Sequence, residues 1–146
     1  MLIKRIEGSL SEIPNGNNSA IINIISKDSN FNFGFCSIIK EKYGIPFSNF
    51  FPGQISVQQY GTTSYIIHIF LDSCYETQNN VKIQKVLDSL WNIFTFYGIK
   101  ELLLWENCNK SKISLKLENK ILQEEFTGLL EKVSFFVKRK HHEKKR

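Results

Sequence analysis

Only three cysteines, Cys36, Cys74 and Cys108, occur in the 146 residues, and no two of them share a CxxC spacing. A structural zinc site needs Cys or Cys/His ligands clustered a few residues apart, so no metal ligands are expected here. With three prolines and eight glycines the chain is neither collagen-like nor of low complexity. Alanine occurs once, at Ala20, amid abundant Ile, Lys, Asn and Phe. That is the bias an AT-rich genome imposes, and no functional weight attaches to it. No apolar run approaches the ~20 residues that span a bilayer, so no membrane partner is expected. The opening MLIKRIEGSL puts charges where a signal peptide carries its apolar segment. The expectation is an intracellular protein, cytoplasmic or nuclear, with reduced cysteines, in which the sequons at Asn17 and Asn109 are chance matches. Also missing are a GxSxG elbow, an HExxH helix and a P-loop ending in GK[ST].

What is present suits a globular domain: 42% hydrophobic and 13% aromatic residues, enough for one sizeable core. The net charge of +5 is unevenly placed. The tail KRKHHEKKR, residues 138–146, holds six Lys/Arg and one Glu, which leaves thirteen charges of each sign in the remainder. A neutral domain, 1–137, thus carries a basic tail. Such a tail contacts nucleic acid or a protein partner, or simply solvates a terminus.

The order of elements points to a fold class. LIKRIEG reads as a first strand, followed by a turn-rich SEIPNGNN. SAIINIIS is almost continuously apolar, as in a strand covered on both faces. A helix runs from about Phe35 to Tyr43 and stops at Gly44, with Pro46 beyond it. QISVQQY alternates Ile55 and Val57 with polar neighbours, the pattern of an exposed or edge strand. SYIIHIFL is a buried strand. Ile83, Val86, Leu87, Leu90, Trp91, Phe94 and Tyr97 recur at helical spacing up to Gly98. KELLLW is another buried strand. After the polar loop ENCNKSK, residues Leu117, Ile121, Leu122, Phe126 and Leu129 form the stripe of a further helix, and KVSFFV closes the domain as a strand. Strands alternating with covering helices predict a three-layer α/β/α sandwich with a mixed sheet. A ligand would then lie beyond the carboxyl ends of the strands. ISKDSNFNFGF and WENCNKSK both leave buried strands there.

The first of these segments runs strand, polar loop, helix start, the order that aims backbone N–H groups and a helix dipole at an anion. Gly34 is its only glycine. Ser26, Asp28 and Ser29 either serve a ribose or cap the loop. Phe31, Phe33 and Phe35 either stack on a base or pack inward. His68 lies within the apolar YIIHIFL and reads as a satisfied core histidine, while His141 and His142 sit in the tail. Asp28 and Asp72 each follow a strand, where aspartate commonly caps.

IEGSL, AIINIISKDSNFNFGFCSIIKEKYG, PGQISV, YIIHIFL, IQKVLDSL and LLLWEN, in this order, resemble the macro-domain family, nearest the branch of the terminal ADP-ribose protein glycohydrolases. The resemblance spans roughly residues 2–137 and implies a cleft for ADP-ribose or a related nucleotide. It implies that Ser9 and Leu10 stand where the family's Gly-Asp-Leu segment meets adenine, with Ser9 replacing the acid. Ser26, Asp28, Phe33, Gly34, Phe35 and Cys36 would form the first phosphate loop and helix start. Asn107, Cys108 and Asn109 would form the closing second loop. Where that branch places a nucleophilic lysine, this chain has Phe70-Leu71-Asp72. Where it places a catalytic aspartate in a glycine-rich loop, Asn107 to Lys112 contain neither aspartate nor glycine. A covalent mechanism needs both groups against one carbon. The expectation is therefore a binding module with no catalytic residues and no cofactor. Two alternatives stand beside it: a water-activating ADP-ribosyl-protein hydrolase using Asp28 or Asp72, and a nucleic-acid- or protein-interaction module working through the tail.

Overall fold

The computed structural model describes residues 2–8, 16–26, 34–44, 54–71, 80–105, 119, 126 and 128–138. The elements are β1 (Leu2–Gly8), β2 (Ser19–Ser26), α1 (Gly34–Tyr43), β3 (Ile55–Gly61), β4 (Ser64–Leu71), α2 (Asn80–Tyr97), β5 (Glu101–Trp105) and β6 (Lys132–Lys138). The strands form one six-stranded sheet in the order β1-β6-β5-β2-β4-β3. Only β3 runs antiparallel, paired with β4 across a tight Thr62-Thr63 turn. Every strand expected from the apolar patterning is present, and the alternating one, β3, is indeed an edge. Lys138, grouped with the tail on charge, is the last residue of β6. The helix expected around Leu117 to Leu129 lies mostly outside the described residues; of its stripe, Phe126 is buried and Leu129 half-buried.

The helices take opposite faces, and connection handedness explains why. From β2 the chain passes through α1 toward the β4 side, then returns through α2 past β2 to β5. Two right-handed crossovers made in opposite directions must cover opposite faces. On the α2 face Ala20, Ile22, Ile24, Ile67, Ile69, Leu102, Leu104, Val133 and Phe135 pack with Val86, Leu87, Leu90, Phe94, Phe126 and Leu130. On the other face the buried cluster among the described residues is small, with Ile39 of α1 set against Ile21, Ile66 and Leu103. The period-two alternation of β2 feeds both cores, which is why SAIINIIS carries no exposed face.

Both helices end as their glycines predict. Gly98 has φ 66°, with Ile99 N–H donating to Phe94 O (2.9 Å) and Gly98 N–H to Thr95 O (3.4 Å). This is a Schellman cap, and Ile99 and Phe94 both enter the core, the apolar contact that accompanies the motif. Gly44, at φ 73°, closes α1 with a single bond from its N–H to Lys40 O at 3.0 Å. At the amino ends of the parallel strands, loop backbones are stitched together: Lys100 N–H to Asn18 O (2.7 Å), Glu131 N–H to Lys100 O (2.7 Å), Leu2 N–H to Glu131 O (2.9 Å) and Ser19 N–H to Thr63 O (3.0 Å).

Candidate functional site

The parallel strands β1, β6, β5, β2 and β4 all end on one edge, at Gly8, Lys138, Trp105, Ser26 and Leu71. Helix α1 starts on the same edge, because it follows β2 and runs back along the sheet. Its first turn contains no acidic side chain, whereas Lys40 and Lys42 occupy its last turn. Cations at the C-terminal end complement the helix dipole, and no carboxylate of the first turn neutralises the positive end. The chain leaves β2 toward the α1 face. It leaves β5, its parallel neighbour, toward β6, a direction that right-handed connection sends to the α2 face. Adjacent strands whose connections diverge open a crevice beyond their ends.

Four of the sequence-derived site residues are described, and all four lie at this edge. Ser26 is the last residue of β2, and Gly34, Phe35 and Cys36 are the first three of α1. Ser9, Leu10, Asp28, Phe33, Asn107, Cys108 and Asn109 lie outside the described residues, as do Phe31, Asp72 and residues 139–146. Their chain neighbours are placed: Gly8 ends β1, and Trp105 ends β5. Two strands separate β1 from β2. At ~4.8 Å per strand their ends are about 14 Å apart, so a ligand touching both must be extended. Phe70, the first residue of the Phe70-Leu71-Asp72 segment, is fully buried within β4, and Lys138 brings the root of the basic tail to the same edge.

Beneath α1 runs a chain of side-chain hydrogen bonds that sequence reasoning missed. Asn23 of β2 and His68 of β4 are register partners, both fully buried. Asn23 Nδ2 lies 3.1 Å from His68 Nδ1, and His68 Nε2 lies 2.8 Å from Gln58 Oε1 on β3. Gln58 Nε2 then reaches Tyr43 O and Gly44 O at the end of α1, each at 3.3 Å. The two main-chain carbonyls can only accept, so they orient the Gln58 amide with Nε2 toward them and Oε1 toward His68. The imidazole must therefore carry its proton on Nε2 and accept from Asn23 at Nδ1. Burial lowers the His68 pKa from 6.5 to about 4. His68 is thus the satisfied core histidine expected from its apolar surroundings. The clue to its partners was available in outline, since Asn23 interrupts the β2 apolar run. Beside this chain, Tyr43 and Tyr60 pack at 4.7 Å between ring centroids. Burial, reinforced by Tyr43, pushes the Tyr60 hydroxyl up to about 12, so it stays a neutral phenol.

Among the described residues no cluster of His, Cys, Asp or Glu could hold a metal ion, and no helix is long and apolar enough to cross a membrane. No protein-family model matches the sequence, and no curated protein does. Solved structures do match in shape. The sheet order and the opposed helices are those of a macrodomain fold, and the chain has that fold. It superposes on the macrodomain of Thermus aquaticus DarG with a TM-score of 0.61 at 16% identity, covering 95% of this chain and 99% of that one. A Bacteroides thetaiotaomicron protein of unknown function gives 0.68 at 14% identity, over 94% and 98% of the two chains. A Trypanosoma brucei macrodomain, crystallised in complex with ADP-ribose, gives 0.59 at 16% identity, over 92% of this chain and 63% of that one.

Proposed function

We propose that this protein is a macrodomain module that binds ADP-ribose, or a nucleotide close to it, beyond the carboxyl ends of β2 and β5, and that it lacks glycohydrolase activity. The observation that carries the reading is the start of α1. Gly34 opens a ten-residue helix, the next described element after β2 and Ser26, with no acid in its first turn, at the carboxyl edge of the parallel strands. A diphosphate is the ligand group such a helix end suits. The ~14 Å between the ends of β1 and β2 fits a ligand with a nucleoside on one side of the diphosphate and a second ribose on the other. The Trypanosoma brucei structure of the same fold holds that ligand. Loss of the chemistry is supported by Phe70-Leu71-Asp72 and by the loop from Asn107 to Lys112, which lack the lysine and the aspartate of the glycohydrolase pattern.

Isothermal titration with ADP-ribose, with ADP and AMP as controls, tests the binding. The expected result is micromolar affinity that depends on the distal ribose. Gly34→Glu, which places a carboxylate at the first position of α1, should abolish binding while leaving the thermal melt in place. Unchanged affinity in that variant would remove the helix start from the site. Incubating an ADP-ribosylated protein with a high concentration of the domain should release no ADP-ribose; turnover lost on changing Asp28 or Asp72 would point to the water-activating hydrolase instead.

A further inference from the structure

Among the described residues α1 buries Ile39 against Ile21, Ile66 and Leu103, with Ile38 and Tyr43 packed beside it, a smaller cluster than the sixteen buried residues of the core on the α2 side. A helix of ten residues is ~15 Å long, so a small error at one end swings the other. The far end of α1 is held by the Tyr43–Tyr60 ring contact at 4.7 Å and, with directional hydrogen bonds, by polar groups. Gly44 closes the last turn, and the Gln58 amide grips the Tyr43 and Gly44 carbonyls together.

Gln58 alone would be a poor anchor, because a half-buried side chain amide on an edge strand can rotate to water. Its orientation is enforced from behind. His68 Nε2 donates to Gln58 Oε1 at 2.8 Å, and Asn23 holds His68 in that tautomer from β2. The chain begins on the strand that leads into the candidate site and ends on the helix that opens it. It crosses β2, β4 and β3, three adjacent strands of a rigid sheet. A non-polar residue at position 23, 58 or 68 would break the chain.

We infer that Asn23, His68 and Gln58 act together as positioning residues for the ligand site, setting the tilt of α1 so that the backbone N–H groups at its start meet the ligand diphosphate. None of the three touches ligand. The inference rests on the ADP-ribose reading for the ligand, but the tilt itself is observable without one.

The test compares the wild type, Gln58→Leu, His68→Leu and the double variant, with Ile67→Val as a control that loosens the opposite core of the same strand. Two readouts are taken: the backbone amide NMR signals of Gly34, Phe35 and Cys36, and the ADP-ribose affinity by calorimetry. In Gln58→Leu the three amide signals should shift and affinity should fall roughly tenfold, the equivalent of losing about one hydrogen bond to the diphosphate. His68→Leu should act in the same direction, and the double variant should be little worse than either single one, as expected for members of one chain. Ile67→Val should lower the melting temperature with both readouts unmoved. Amide signals that stay in place in Gln58→Leu, or an affinity loss no greater than in Ile67→Val, would overturn the inference. If the wild type binds no ADP-ribose, the ligand reading fails, and the amide signals alone decide the positioning role.

Discussion

Acidification should drain stability from this protein through one buried side chain, His68. Its imidazole is fully enclosed, accepts from Asn23 at Nδ1 and donates to Gln58 from Nε2. A second proton would put a charge into the core, and that burial is why its pKa falls to about 4. In the unfolded chain the ordinary value near 6.5 applies. As pH falls below 6.5 the unfolded state therefore takes up the proton first. The stabilisation is complete above pH ~6.5, drains between there and about 4, and changes no further once both states are protonated. A drop of about 2.5 pKa units corresponds to ~3 kcal/mol, with a slope of about 1 kcal/mol per pH unit near pH 5. Against a total of ~5–15 kcal/mol for a domain, that is a substantial share. Urea unfolding at half-unit steps from pH 7 to 4, on the wild type and on His68→Gln, isolates the effect. Glutamine keeps one donor and one acceptor in the chain but cannot titrate, and all other groups titrate in both proteins. The wild-type curve should fall away from the variant's by the slope above. Parallel curves would refute the claim that His68 is buried neutral.

Two further outcomes concern the frame around the site. Phe94 is buried on α2 and meets Phe126 edge to face at 5.3 Å, so Phe94→Ala opens a cavity and should cost about 3–5 kcal/mol in the same unfolding assay. Gly98 sits at φ 66° with open space where a Cβ would stand, so Gly98→Ala should cost about 1 kcal/mol from backbone strain alone, and Gly98→Asn less. Equal melting temperatures for the alanine and asparagine variants would contradict that account.

Much of this architecture is legible residue by residue. The apolar alternation of Ile55 and Val57 marks β3 as an edge, the almost continuous apolar run from Ala20 to Ile25 marks β2 as doubly covered, and Gly44 and Gly98 mark the helix ends. Each of these is a local property, decided by pleat, helical period or the conformational freedom of glycine, and needs no knowledge of the rest of the chain. His68 as a satisfied core histidine belongs with them, since its neighbours in β4 already state its surroundings. The tertiary structure alone decides what depends on pairing across long stretches of sequence. That β1 lies beside β6, so that the end of β1 stands about 14 Å from the end of β2, follows from strand order, which periodicity does not encode. That Asn23 and Gln58 bond the two ring nitrogens of His68, with Gln58 oriented in turn by the carbonyls of Tyr43 and Gly44, follows from register, because a slip of one residue in β3 or β4 would turn one of the side chains to the opposite face. Sequence patterning determines which elements form and which way each faces; only their assembly brings the start of α1, the ends of β2 and β5 and a buried imidazole into one device, because hydrogen bonds between distant side chains exist only once the sheet has set their distances.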